Sequence, residues 1–170
     1  MITCSEVAVW SERGKSVRNL SPEYVEAVRR EVNSCPYFSL LSIVLKGLSW
    51  GESLLEILVR KKHLQPFGMV HGGVFASLID AAAFWAVYTQ VPDELGMTTV
   101  ELKLNYLAPL STGRMLARGK SLRVGKTLCL GEASILNEEG TLLAHGTSTM
   151  MILKDLKIQG VTQGPSKYLD

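Results

Sequence analysis

Two pieces of this sequence carry residue types that could act on a carbonyl: the run His71-Gly72-Gly73, and Asp80, eight residues beyond Gly72. The amides that open a helix have no partner inside it and sit at its positive end. They suit an oxygen that gains negative charge. Gly72 and Gly73 would leave such amides uncovered by side chains, with His71 shaping the loop or hydrogen bonding nearby. The same pair would serve equally as a plain tight turn into a helix. Asp80 stands between Ile79 and Ala81 in the most apolar stretch of the chain. A carboxylate there is costly unless paired or used, so it is either a salt-bridge partner or a working group. As a working group it is a nucleophile or a general base, and the sequence does not choose.

The elements that must position these residues follow from pattern. Ser21-Pro22-Glu23 reads as a helix start: a capping hydroxyl, proline at the first position and an acid facing the positive end. That helix is expected to run to Asn33 and stop before Pro36. Leu40–Trp50 and Glu52–Lys61 read as two strands around Gly51; Leu55, Ile57 and Val59 share one face of the second. Gly72 to Gln90 is Ala-rich and apolar nearly all round, which predicts a helix in the middle of the fold, roughly 28 Å long. From Thr99 the period is two, with Val100, Leu102, Leu104 and Tyr106 on one face. Met115–Val124, Thr127–Leu136 and Thr141–Leu153 read as three further strands, separated by Gly125-Lys126 and Asn137-Glu138-Glu139-Gly140 turns. The last four strands are expected to form an antiparallel meander. No helices separate them, which argues against a doubly wound sheet and for an α+β fold, an antiparallel sheet curled around one helix.

Composition limits the function classes. The chain has 170 residues, 46% of them hydrophobic and 20% charged, with a net charge of +2, so one globular domain is expected. No basic stripe points to nucleic acid or to a membrane surface. The longest apolar stretch, Val74 to Tyr88, is interrupted by Asp80 and short for a bilayer. Cys4, Cys35 and Cys129 are an odd set without a CxxC pair, as in a reduced cytoplasmic protein, and the first residues lack a signal-peptide pattern. His63 and His145 lack ligand spacing with each other or with the cysteines, so no metal is expected. Residues 1–20 and 155–170 read as loosely attached tails flanking a domain over 21–154.

The block from Pro66 to Asp80, with Gly68-Met69-Val70-His71-Gly72-Gly73 leading into the apolar helix, resembles the signature of PaaI-like hotdog-fold acyl-CoA thioesterases. Asn105-Tyr106-Leu107-Ala108-Pro109, Val124-Gly125-Lys126-Thr127 and Leu143-Ala144-His145-Gly146-Thr147 resemble later parts of the same family, so the likeness covers roughly residues 21–153. It implies the hotdog fold and hydrolysis of an acyl-CoA, with CoA as part of the substrate and no separate cofactor. Asp80 would be nucleophile or general base, and the Gly72/Gly73 helix start would polarise the thioester carbonyl. Thr99, or less well Thr98, falls where relatives carry a hydroxyl that holds the water. Many members place Asn shortly before the histidine; here Gln65 stands there, and its amide reaches about one methylene further. Arg123, Gly125, Lys126 and Thr127 at the basic hairpin could meet CoA phosphates, with Arg114 as a further candidate, or form a plain solvated turn.

Spacing adds a requirement. Gly72 and Asp80 are about 12 Å apart along one helix and cannot both touch one carbonyl. If both act, one comes from a neighbouring copy, which predicts a site at a two-fold interface. The resemblance implies the same, in dimers or paired dimers. Three other readings compete: a hotdog hydratase or dehydratase, whose His and acid usually stand at a different spacing; a non-catalytic acyl-CoA-binding module; and a structural scaffold, which leaves the buried acid unexplained. Phe75, Phe84, Trp85 and Tyr88 could line an acyl pocket or simply fill the core.

Overall fold

The structure, a computed structural model, describes residues 17–154, 156, 158 and 164–169. The first helix, α1 (Pro22–Ser34), begins as its sequence dictates: the Ser21 hydroxyl accepts from the Tyr24 amide at 3.3 Å and Pro22 opens the first turn. Tyr24, Val28 and Val32, four apart, form its buried face. Pro36 does more than end it. With φ already set for a helix and no amide to leave unpaired, Pro36 opens a second, short helix, α2 (Pro36–Leu41). The strand expected from Leu40 therefore begins later, at Ile43, after Ser42 turns the chain at φ 53°.

Strands β1 (Ile43–Ser49) and β2 (Glu52–Leu58) form a hairpin around Trp50-Gly51. A single 3₁₀ turn (Lys61–His63) and a loop lead to α3 (Gly72–Tyr88). The chain then forms β3 (Leu95–Tyr106), β4 (Arg114–Val124), β5 (Leu128–Leu136) and β6 (Leu142–Lys154). All six strands join one antiparallel sheet in the order β1-β2-β4-β5-β6-β3. The expected four-strand meander holds only for β4, β5 and β6. After α3 has carried the chain across the sheet, β3 pairs with β6 at the far edge, and the next strand returns to pair with β2. Turn signals alone could not show this crossing.

The sheet curls around α3. Leu78, Ile79, Ala82, Ala83, Ala86 and Val87 are completely buried, and each of the larger three contributes about 1.5–3 kcal/mol by leaving water. The backbone lies close on the strands: a β-carbon on Gly119 would fall 2.1 Å from the Ala82 carbonyl oxygen, so that position requires glycine. Beside it the Ser53 hydroxyl donates to the same oxygen at 2.7 Å.

The C-terminal region was expected to be loose. Among its described residues, 164–169 are instead bound to the domain. Lys167 is 1% exposed and donates to the carbonyl oxygens of Tyr88 at 2.8 Å and Val91 at 2.6 Å, with Asp93 at 3.7 Å. The Ser21 amide donates to the Lys167 carbonyl, and Leu20 bridges to Tyr168. No helix among the described residues is long and apolar enough to cross a membrane. Cys4 lies outside the described residues.

Candidate active site

Asp80 sits mid-way along α3, only part-buried, and its Oδ1 accepts two hydroxyl hydrogen bonds: from Thr99 at 2.9 Å and from Ser148 at 2.7 Å. No salt bridge to a cation within 4 Å accounts for it among the described residues. Both donors come from neighbouring strands, β3 and β6, so the carboxylate ties the helix to the sheet edge. Of the two threonines, Thr98 points to solvent and Thr99 points to Asp80.

Thr99 reaches that position through an irregularity. The β3–β6 register pairs Thr99 with Met150 and then Glu101 with Thr149, leaving Val100 without an opposite residue. This bulge shifts the alternation by one, as bulges beside sites often do. Met97 and Thr99 face the helix on one side of it, Leu102 and Leu104 on the other. Val100, expected on the buried face, is 52% exposed. Tyr106, expected there too, lies at the sheet end, its ring against Phe75 with 57% exposure.

Ser148 is the residue that sequence reading missed. It is fully buried, 68 positions from Asp80, and belongs to the inward row Ala144, Gly146, Ser148, Met150 of β6. A hydroxyl in a row otherwise made of small or apolar side chains is the signal that would have found it.

At the start of α3, His71 caps the helix: its Nδ1 accepts from the Gly73 amide at 2.9 Å, so in the neutral ring Nε2 carries the proton. The Val74 amide donates to the His71 carbonyl. The sequence reading offered both glycine amides to a carbonyl oxygen. The structure commits Gly73 to the cap and leaves the Gly72 amide without a partner among the described residues. Gly72 also lets Tyr106 approach: a β-carbon there would lie 3.0 Å from the phenol oxygen, which donates to the Gly72 carbonyl at 3.2 Å. Gln65 folds its own loop, its Oε1 accepting from the Phe67 amide at 2.7 Å.

Two separate clefts result. Gln65, Gly72, Phe75 and Tyr106 line one; Tyr37, Ser77, Asp80, Phe84 and Trp85 line the other, and no residue lines both. Tyr37 and Ser77, unnoticed in the sequence, share a 2.6 Å hydrogen bond in the second. A single chain thus presents Asp80 and Thr99 together but keeps them apart from Gly72 and Gln65.

The β4–β5 hairpin places Arg123, Lys126 and Thr127 at the surface, with Gly125 half-buried between them. It lies level with the site, because Val124, Cys129, Met150 and Thr99 are successive partners across four strands. Arg114 is at the other end of β4, bound to Glu56 at 2.8 Å and Glu138 at 3.1 Å. It is removed from the candidates for phosphate contact. His63 is buried between the Arg60 amide and the Leu41 carbonyl, and that burial pushes its pKa below the ordinary value. His145 lies 3.5 Å from Glu132. No group of three or more His, Cys, Asp or Glu could hold a metal among the described residues.

Comparison with known proteins agrees with this fold. Residues 67–144 match the family model described as the Thioesterase superfamily. A Saccharolobus solfataricus protein named "Putative esterase" is 33% identical over 97 residues, covering 56% of this chain and 64% of the relative. A Caenorhabditis elegans protein of the same name is 41% identical over 61 residues, 36% of each chain. A second Saccharolobus match covers 54% of that relative, so the chain spans about half the length of the curated relatives it matches. Among solved structures, a Haemophilus influenzae thioesterase superimposes with a TM-score of 0.72 at 20% identity, covering 89% of this chain and 99% of that one. At that identity the likeness is one of fold. A mutant of the phenylacetic acid degradation protein PaaI from Thermus thermophilus gives 0.64 at 27% identity, covering 70% of this chain and all 100% of the other. The matched segment is just under half of this chain; with the six-stranded sheet wrapped around its helix and the PaaI neighbour, it gives the chain a hotdog fold similar to that of PaaI-like members of the Thioesterase superfamily.

Proposed function

We propose that the chain is an acyl-CoA thioesterase, hydrolysing a thioester to a carboxylic acid and free CoA. The observation that carries this reading is the Asp80 carboxylate, set in an otherwise apolar helix and held at Oδ1 by Thr99 and Ser148. With Oδ1 fixed, Oδ2 is the atom that acts. As a general base it takes a proton from water while the water oxygen bonds to the thioester carbon. As a nucleophile it bonds to that carbon itself, and water then cleaves the mixed anhydride. In both courses the C–S bond breaks and the thiolate leaves to take up a proton. The charge that gathers on the carbonyl oxygen falls to the Gly72 amide at the positive end of α3.

The separation of the two clefts supports a shared site, Asp80 and Thr99 from one copy and Gly72 and Gln65 from a second, across a two-fold axis. A homodimer is the smallest assembly that completes it. Arg123 and Lys126 would meet the CoA phosphates at the rim. Cys35 is a free thiol, which supports a reducing, cytoplasmic setting.

The test is free-thiol release from a panel of acyl-CoAs by the wild type and Asp80→Asn. The substitution is expected to lower kcat by about 10²–10⁴-fold, the range for loss of a positioned base. Full activity in a folded Asp80→Asn protein would sink the proposal. Binding of CoA esters without turnover in the wild type would leave a binding module instead.

A further inference from the structure

Past Asp80, the same side of α3 runs into an apolar cavity of about 330 Å³, within the size range of small-molecule sites. Its walls include Val32, Cys35 and Phe38 at α1 and α2, Phe84, Trp85 and Tyr88 from α3, and residues of β3 and of the segment after β6. Phe38, Phe84 and Trp85 also line the Asp80 cleft, so the two spaces share a wall. Phe84 is one helical turn beyond Asp80 and Tyr88 is two, about 6 and 12 Å along the axis. The aromatic rings are fixed against one another: Phe84 stacks on Tyr88 with centroids 6.0 Å apart, and Trp85 meets both edge-on at 5.4 Å.

The polar side-chain groups of this cavity are few: the Tyr88 hydroxyl, the Glu31 carboxylate and the Trp85 indole N–H. The Tyr88 hydroxyl, the one hydroxyl among its described lining residues, is hydrogen bonded to Tyr24. Glu31, the one carboxylate, stands beside Arg30 at 3.6 Å and would repel a second negative charge. An anionic occupant would meet no cation in this lining and a polar one only the Trp85 indole N–H, so the cavity favours an uncharged, apolar occupant.

We infer that this cavity is the acyl subsite, and that it takes a neutral, unsubstituted acyl chain of medium length, octanoyl to decanoyl. The inference rests on the thioesterase reading for the placement of the carbonyl at Asp80; the chain then runs toward Tyr88 between α3 and the α1–α2 pair. Acyl groups ending in a carboxylate are rejected, because the lining offers that charge no cation.

Free-thiol release from unbranched acyl-CoAs of increasing length measures this directly. In the wild type kcat/KM is expected to rise roughly fourfold per methylene up to octanoyl and then level off, as each buried methylene adds its transfer free energy. Cys35→Trp, which fills the cavity, should lower the octanoyl-to-butanoyl ratio of kcat/KM by at least about tenfold. A flat length profile, or an unchanged ratio in a folded Cys35→Trp protein, would overturn the inference. A second arm needs neither turnover nor the variant: a terminally brominated decanoate should quench tryptophan fluorescence, and Trp85→Phe should remove most of that quenching. Absence of quenching in the wild type defeats the cavity assignment even if thioesters are cleaved. Quenching in a protein that cleaves none keeps the cavity and defeats the thioesterase reading instead.

Discussion

At the N-terminal end of α3 the partners are neighbours in sequence. His71 holds the amide two residues on, Gln65 holds the Phe67 amide, and the His71 amide reaches back to the His63 carbonyl. At the C-terminal end the partners are remote. Lys167 comes from 79 positions away to the Tyr88 carbonyl and 76 to that of Val91, and the Tyr168 hydroxyl reaches the Thr89 carbonyl. Both ends satisfy the same physical demand, since a helix leaves unpaired amides at one terminus and unpaired carbonyls at the other. The first solution leaves the half-buried Gly72 amide without a partner among the described residues, as the proposed mechanism requires, and the second uses a buried cation to complement the negative end of the dipole. One end of the helix is therefore expected to govern turnover and the other to govern stability.

The sharpest way to break that division concerns Asp80's two hydrogen bonds. Thr99→Ala with Ser148→Ala leaves Oδ1 without its donors and is expected to lower kcat by at least tenfold with a smaller change in Tm; unaltered kcat would remove these hydroxyls from the mechanism. Lys167→Met should do the reverse. It leaves two carbonyls without donors, so stability should fall by about 1–3 kcal/mol in a denaturant titration while the kcat of the folded fraction persists. His71→Ala tests the other end: loss of the cap should cost about 0.5–2 kcal/mol and also reduce kcat by loosening the Gly72 amide. A loss of stability with kcat intact would contradict the assigned role.

The smallest effect is in pH. Burial pushes the Lys167 pKa down to about 8, below its ordinary value of 10.5. Between those values the unfolded chain holds the proton that the folded chain has lost, so stability gains a component that rises with pH across that window. It should appear as the difference between wild type and Lys167→Met in melts from pH 7 to 10, and equal slopes would refute it.

The same contrast between local and remote explains what the sequence disclosed. Ser21, His71-Gly72-Gly73 and the apolar run containing Asp80 could be read because their meaning lies within a few residues. The helix α2 was hidden because Pro36 both ends one helix and opens the next, and a rule that treats proline as a stop sees only the first role. Ser148 and Lys167 were hidden because their partners lie 68 or more positions away, where no local pattern records them. The pairing of β3 with β6 was hidden for the same reason. The two-cleft arrangement was foreseen in part, through the length of a helical turn, which is a property of any helix and needs no tertiary information.

The bulge at Val100 has a consequence for changes in chain length. Twelve residues of β3, Leu95 to Tyr106, run opposite eleven of β6, so one residue is surplus to the pairing. Deleting Val100 would bring Thr99 directly next to Glu101 in a regular strand, and the alternation would still turn Thr99 and Met97 toward the helix. Removing Glu101 would let Val100 take its place opposite Thr149, whereas removing Leu102, Lys103 or Leu104 would close the bulge only by turning Glu101 toward the helix opposite Ser148. Tolerance of a shortened chain is therefore concentrated at two adjacent positions, Val100 and Glu101, next to the residue that steadies the carboxylate.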